Sequence, residues 1–225
     1  VQMASDELIT MDELCGYGQT RLLFDILSHI DKNSVDAPIP STNLLSIKNR
    51  SPSHVSPTGL NLQCYFHSSS PLSNYNISRF IHNGMHFTSV EQYFAYEKAR
   101  FFKDTYKMDA IMLSKTPHMA KCHGRSVRNF DPVKWRKTGT RVMIEGVYRK
   151  FQQNPHHRRS LFGTRGCALV EASPYDRYWG AGVGIEDAKV ANPSLWPGIN
   201  HHGRLLTVVR DYMLSMPFYA NECQR

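Results

Sequence analysis

The chain has no apolar run near the ~20 residues needed to cross a bilayer, so no membrane partner is expected. Its N-terminus lacks the basic-then-apolar pattern of a secretory leader. Cysteine is scarce and scattered: Cys15, Cys64, Cys122, Cys167 and Cys223, an odd count with no CxxC. That argues against a disulfide framework and a cysteine-built zinc site, and for a reducing compartment. Cytosol or nucleus, not the secreted space, is the expectation. The first residue is Val, which fits a fragment or a processed form. There is no HExxH, and no acidic spacing accompanies the pairs His156-His157 and His201-His202. Adjacent histidines diverge on a helix or strand, so no metal and no cofactor is expected. The glycines at 180, 182 and 184 follow GxGxG rather than the dinucleotide fingerprint, with no helix directly after them, which excludes a Rossmann site. No internal repeat is visible.

What is present is enough for one domain and an extension: 225 residues, 41% of them hydrophobic. Net charge is +8 and unevenly spread. Residues 1–60 hold 4 Lys and Arg against 7 Asp and Glu, whereas residues 61–225 hold 23 against 12. A basic domain suits a phosphate-bearing partner, nucleotide or nucleic acid, although a general solubility charge would look the same. Residues 4–31 have weak helical patterning; 32–59 turn Ser/Pro/Asn-rich and read as a linker. The expected organisation is an extension over 1–60, a catalytic domain over 61–216 and a tail over 217–225.

Within the domain, 62–67 reads as a strand, and 80–82 with 85–87 as a hairpin around Asn83-Gly84. Ser89 and Gln92 form a capping box before a helix. Thr116-Pro117 and Asp131-Pro132 start two more, which stop near Gly124 and Pro155. Residues 167–173 read as a short buried strand, and a last helix runs from about 203 to 213. Helices with a few short strands give an α+β, helix-rich fold.

The helix at 89–102 carries charge inside its apolar stripe. On a wheel of about 100° per residue, Lys98, Phe94, Phe101, Phe102 and Ala95 all fall within about 80° of Glu91. Gln92, Tyr96, Arg100 and Lys103 take the opposite side, expected to be solvated. An unpaired charge in such a stripe costs several kcal/mol. Glu91 and Lys98 are therefore either a buried ion pair with other core elements or the floor of a catalytic pocket. Beyond the strand at 167–173 lie Asp176, Trp179 and the glycines. A carboxylate, an indole and a glycine-rich loop suit a sugar-phosphate or base, though a surface loop whose glycines merely turn fits the same string. Arg125, after a helix, could meet a phosphate or simply favour the helix dipole. The cluster Lys134, Arg136, Lys137, Arg141 is most simply a solvated helix face.

Seven segments, PLSNY (71–75), GMHFTSVEQYFAYEKARFF (84–102), GR (124–125), FDPVKW (130–135), KFQQN (150–154), LVEASPYDRYWG (169–180) and GINHHGRLLTVVR (198–210), occur in the order of the NADAR, or YbiA-like, family. The resemblance covers about two-thirds of the chain and leaves out residues 1–60. One departure is His202, where Leu is usual before the glycine. The resemblance implies a helix-rich YbiA-like single domain that cleaves N-glycosidic bonds. The implied substrates are ribosylamino-pyrimidine intermediates of riboflavin synthesis, or ADP-ribose joined to guanine, free or on nucleic acid. It matches Lys98 to the family's proposed catalytic lysine, with Glu91 and Asp176 as further catalytic groups. It also implies substrate binding by Trp179, Arg125, Gly180, Asn200 and Tyr93. A desolvated Lys98 could attack C1 and form a Schiff base; alternatively, Glu91 or Asp176 could steer water onto an oxocarbenium-like sugar. A non-catalytic ADP-ribose or nucleic-acid binding module is the alternative class.

Overall fold

The structure, a computed structural model, describes residues 50–223, so the weak helical patterning at 4–31 lies outside the described residues. Strand β1 (His54–Val55) runs antiparallel to β2 (Asn61–Tyr65), and β2 runs parallel to β5 (Ala168–Glu171), with Leu62 opposite Ala168 and Tyr65 opposite Glu171. The alternation of LQCY sends Leu62 and Cys64 into a small cluster with Val170, Val183 and Val190, and Tyr65 into the main helical core. Strands β3 (Phe80–His82) and β4 (Met85–Phe87) form a separate hairpin. Its turn holds Asn83 and Gly84 at φ 49° and 74°, the left-handed pair that a two-residue hairpin loop requires.

Seven helices follow: α1 (Val90–Phe101), α2 (Thr105–Met112), α3 (Pro117–Arg125), α4 (Pro132–Gln153), α5 (Pro155–Phe162), α6 (His201–Ser215) and α7 (Pro217–Cys223). Ser89 caps α1 by accepting from the Gln92 N–H at 3.1 Å, while Gln92 Oε1 accepts from the Thr88 N–H at 2.8 Å rather than from that of Ser89. Helix α1 is the hub, packed by α2, α3 and α4. Consequently its expected wet side is not wet: Gln92 is 2% and Tyr96 8% exposed. Gln92 Nε2 donates to the Ile111 carbonyl of α2 at 3.0 Å. Tyr93 fits beneath α4 only because residue 146 is glycine; a Cβ there would lie 2.5 Å from its ring. Of the four residues placed on the solvated side, Arg100 and Lys103 are exposed. The open side of α1 is the one carrying Glu91, Phe94 and Lys98.

The domain also reaches past 61–216 at both ends. Ser53 exchanges hydrogen bonds with Leu62 and Cys64 of β2, and the Arg50 N–H donates to Gly163 at 2.7 Å. Residues 217–223 are not a loose tail but α7, whose Tyr219 is buried and whose Glu222 pairs with the buried Arg158. No helix among the described residues is long and apolar enough to cross a membrane.

Candidate active site

One turn of α1 after another floors a cleft: Glu91, then Phe94 and Ala95, then Lys98. Its walls come from Asn74 and Tyr75, from Lys121 and Arg125 on α3, from Glu171 at the end of β5, and from Asp176 and Trp179 in the loop beyond. This central cavity is about 140 Å³. On one side it shares Lys121, Arg125, Glu171 and Asp176 with a compartment of about 440 Å³ that also takes in His67, Ser173 and Tyr175. On the other it shares Phe94, Lys98 and Trp179 with a compartment of about 330 Å³ lined by Trp135, Arg136 and Tyr178. The first neighbour sets two cations against two carboxylates, and the second is aromatic, with Lys98 and Arg136 as its cations.

The charges are tuned by burial. Glu91 is pushed up to about 7 by burial, with Glu171 and Asp176 adding to the rise and Lys121 and Arg125 opposing it. Burial works against the charge of Lys121, but Glu91 and the Tyr75 hydroxyl outweigh it and hold the ammonium above its usual value. Burial pulls Lys98 below the usual lysine value. Its Nζ lies 3.7 Å from the centre of the Phe130 ring, a contact that favours the ammonium and so works in the other direction. Glu91 and Lys98 are thus not partners in a buried ion pair with the core; both line the cleft. A carboxyl near 7 at neutral pH can give or take a proton, which is what general acid–base work requires.

The same shift carries a stability sign. Because the folded value lies above the ordinary 4.5, protonated Glu91 is favoured in the fold. Its contribution is fully present below about 4.5 and is lost as pH rises through about 7. Glu91→Gln is therefore expected to melt with the parent at pH 4 and above it at pH 8, while losing activity. Thermal melts across that range check this; a variant equally or less stable at pH 8 would remove the case for a strained carboxylate.

The structure gathers Glu91, Lys98, Asp176, Trp179 and Arg125 around one cleft. Asp176 spends one oxygen on its own loop, where Oδ1 accepts from the N–H groups of Tyr178 and Trp179 at 2.9 and 2.8 Å. Trp179 stands edge-on to Phe94 and 5.1 Å from the His201 ring, presenting itself to both the central and the aromatic compartments. Three expected binding residues lie elsewhere. Tyr93 is fully buried on the far side of α1 and donates to Glu145 at 2.9 Å. Asn200 clasps β5 from the start of α6: its Oδ1 accepts from the Glu171 N–H and its Nδ2 donates to the Leu169 carbonyl, both at 2.9 Å. Gly180 is packed so tightly that a Cβ would lie 2.8 Å from the Asp176 carbonyl. Gly180 and Gly182 let two loop segments touch, since a Cβ on the adjoining Gly198 would lie 2.5 Å from the Gly180 carbonyl, whereas a Cβ on Gly184 would meet open space. Arg136 borders the aromatic compartment, so the basic face of α4 is not merely solvated.

Sequence reasoning missed Glu171, Lys121, Asn74 and Tyr75. Lys121 and Arg125 are four apart, hence on one helix face, and that spacing was available as a signal. Glu171 ends a strand whose other residues are apolar, the place where a parallel sheet presents groups to ligands.

The site is a small, polar cleft of mixed charge in an α+β domain, with Lys98, Lys121 and Arg125 set against Glu91, Glu171 and Asp176. The chain belongs to the NADAR family, whose domain model matches residues 59–214. It is 37% identical over 125 residues to N-glycosidase R617 of Acanthamoeba polyphaga mimivirus, covering 56% of this chain and 74% of that protein. It is 32% identical over 142 residues to the chloroplastic riboflavin biosynthesis protein PYRR of Zea mays, covering 59% of this chain but only 21% of that protein. The fold matches the NMR structure of the E. coli protein YbiA with a TM-score of 0.57 at 23% identity, over 75% of this chain and 93% of that one.

Proposed function

We propose that the protein hydrolyses an N-glycosidic bond between a ribosyl phosphate, or ADP-ribose, and a nitrogenous base. The observation that carries this reading is a desolvated lysine and a carboxyl near pKa 7 on one face of α1, sharing a single cavity. Helical rise sets Glu91 and Lys98 roughly 10 Å apart, so their side chains reach a sugar lying between them from opposite ends. Unprotonated Lys98 attacks C1, and the C1–N bond breaks as the departing base takes a proton from a carboxylic acid, Glu91. Ring opening gives a Schiff base, which water hydrolyses to free sugar and free lysine. Lys121 and Arg125 face the 440 Å³ compartment, where phosphate oxygens find two cations. The aromatic compartment takes the base, with Trp179 as its stacking partner. The name of the mimiviral relative supports glycosidase chemistry, and that of the maize relative supports a riboflavin-pathway substrate.

The protein is to be incubated separately with ADP-ribosylated guanosine and with a ribosylamino-pyrimidine phosphate, and released base followed by chromatography. Release from either identifies the substrate class; tight binding of both without release would make the protein a reader. Trp179→Ala is expected to weaken substrate affinity by about 1–3 kcal/mol, with little change in turnover at saturation. Unchanged affinity with a collapsed melting point would assign the indole to the core.

A further inference from the structure

We infer that Glu171 recognises the ribose hydroxyl next to the reacting carbon, and that His202 and Tyr65 are positioning residues that hold its carboxylate for that purpose. The assignment rests on the ribosyl reading above and adds to it a preference for ribose over 2-deoxyribose.

Glu171 is fixed through its backbone. Its N–H donates to Asn200 Oδ1, and its carbonyl accepts from the Ser173 and Ala181 N–H groups at 2.9 and 2.8 Å. Its side chain is gripped from behind. Oε2 lies 2.8 Å from Nδ1 of His202, which is 1% exposed, and the same nitrogen is 2.7 Å from the hydroxyl of the buried Tyr65. Register brings these groups together: Tyr65 and Glu171 are direct partners across the parallel β2–β5 pair, and His202 lies in the first turn of α6. The His202 N–H donates to the Trp179 carbonyl at 2.9 Å, tying the helix start to the cleft loop.

The hydrogen-bond roles follow from these contacts. A bare lone pair on Nδ1 would face a carboxylate oxygen at 2.8 Å, which is repulsive; a proton there attracts both oxygens. Nε2 is buried without a hydrogen-bond partner, so a second proton would be an unpaired buried donor. Nδ1 is thus hydrogen-bonded to the Tyr65 hydroxyl, with Glu171 Oε2 beside it at ion-contact distance. Oε2 is buried against His202 without a hydrogen bond of its own, and the 24% exposure of the Glu171 side chain lies toward the cavity it shares with Glu91, Lys98 and Asp176. A fixed carboxylate beside C1 accepts a hydrogen bond from the neighbouring hydroxyl. That bond strengthens as C1 becomes cationic. A sugar lacking the hydroxyl leaves a desolvated carboxylate unpaired.

Calorimetric titration with ribose 5-phosphate and 2-deoxyribose 5-phosphate tests this without relying on turnover. The parent is expected to prefer the ribose form by at least about tenfold. His202→Leu is expected to shrink the preference below about threefold, with affinity for the deoxy sugar unchanged. His202→Asn, whose amide N–H can stand where Nδ1 stands, is expected to restore it. If His202→Leu does not unfold cooperatively, Glu171→Gln carries the same test. Equal binding of the two sugars by the parent, or full preference in His202→Leu, would overturn the assignment and leave the glycosidase reading standing. Failure of either sugar to bind would overturn the ribosyl reading itself.

Discussion

Lys98→Met is expected to fold, to bind ligand and to lose turnover by about 10³-fold or more, the scale on which removed nucleophiles are felt. Methionine keeps the length and apolar character of the lysine stem, and its sulfur makes a favourable contact with an aromatic face such as Phe130. A lysine present only for packing would therefore be replaceable at little cost, even with a gain in stability. A nucleophile has no substitute in methionine. Borohydride should trap sugar on the parent and none on the variant. Near-normal turnover in Lys98→Met would end the covalent route and leave Glu91 and Asp176 to direct water at the sugar.

The largest effect on stability is expected from Glu222→Ala. Arg158, fully buried, donates to both Glu222 oxygens at 3.0 and 2.6 Å, and to the Phe151 and Gln152 carbonyls near the end of α4, at 2.9 Å each. Its guanidinium also lies 4.8 Å from the centre of the Tyr219 ring. Removing the carboxylate breaks two charge-assisted hydrogen bonds to a fully buried guanidinium, at a cost of about 3–5 kcal/mol. That is a large part of the 5–15 kcal/mol typical of a domain. Equilibrium urea unfolding measures it, and the double change Arg158→Met with Glu222→Met should recover much of the loss. A loss below about 1 kcal/mol would mean that water reaches the pair.

What the sequence disclosed depended on how local the cause was. The hairpin was legible because Asn83-Gly84 dictates its own turn, and the α1 cap because Ser89 acts on a residue three positions on. Glu91 and Lys98 stood out because charge in an apolar stripe demands a reason, and the cleft supplies it. The burial of Gln92 and Tyr96 was not legible, since Gln92 is covered by α2, whose eight residues carry little apolar periodicity, and Tyr96 packs on Phe87 of β4. Asn200 was legible as important but not as structural: its left-handed conformation, φ 52°, and its grip on β5 appear only once α6 is docked. Glu171 and His202 are 31 residues apart in sequence, and no short-range pattern connects them.

The pairing of β2 with β5 has a consequence for biosynthesis. Tyr65 leaves the ribosome long before its partner His202, 137 residues later, and the cleft stays incomplete until Glu171, Asp176 and Trp179 have followed. A nascent chain therefore carries β2 with an unpaired edge through most of its synthesis, and contacts of such separation close slowly. The emerging chain passes through a stage in which α1–α5 are made but β5 is not. Every chain released before β5 is made should be both inactive and prone to pair with its neighbours.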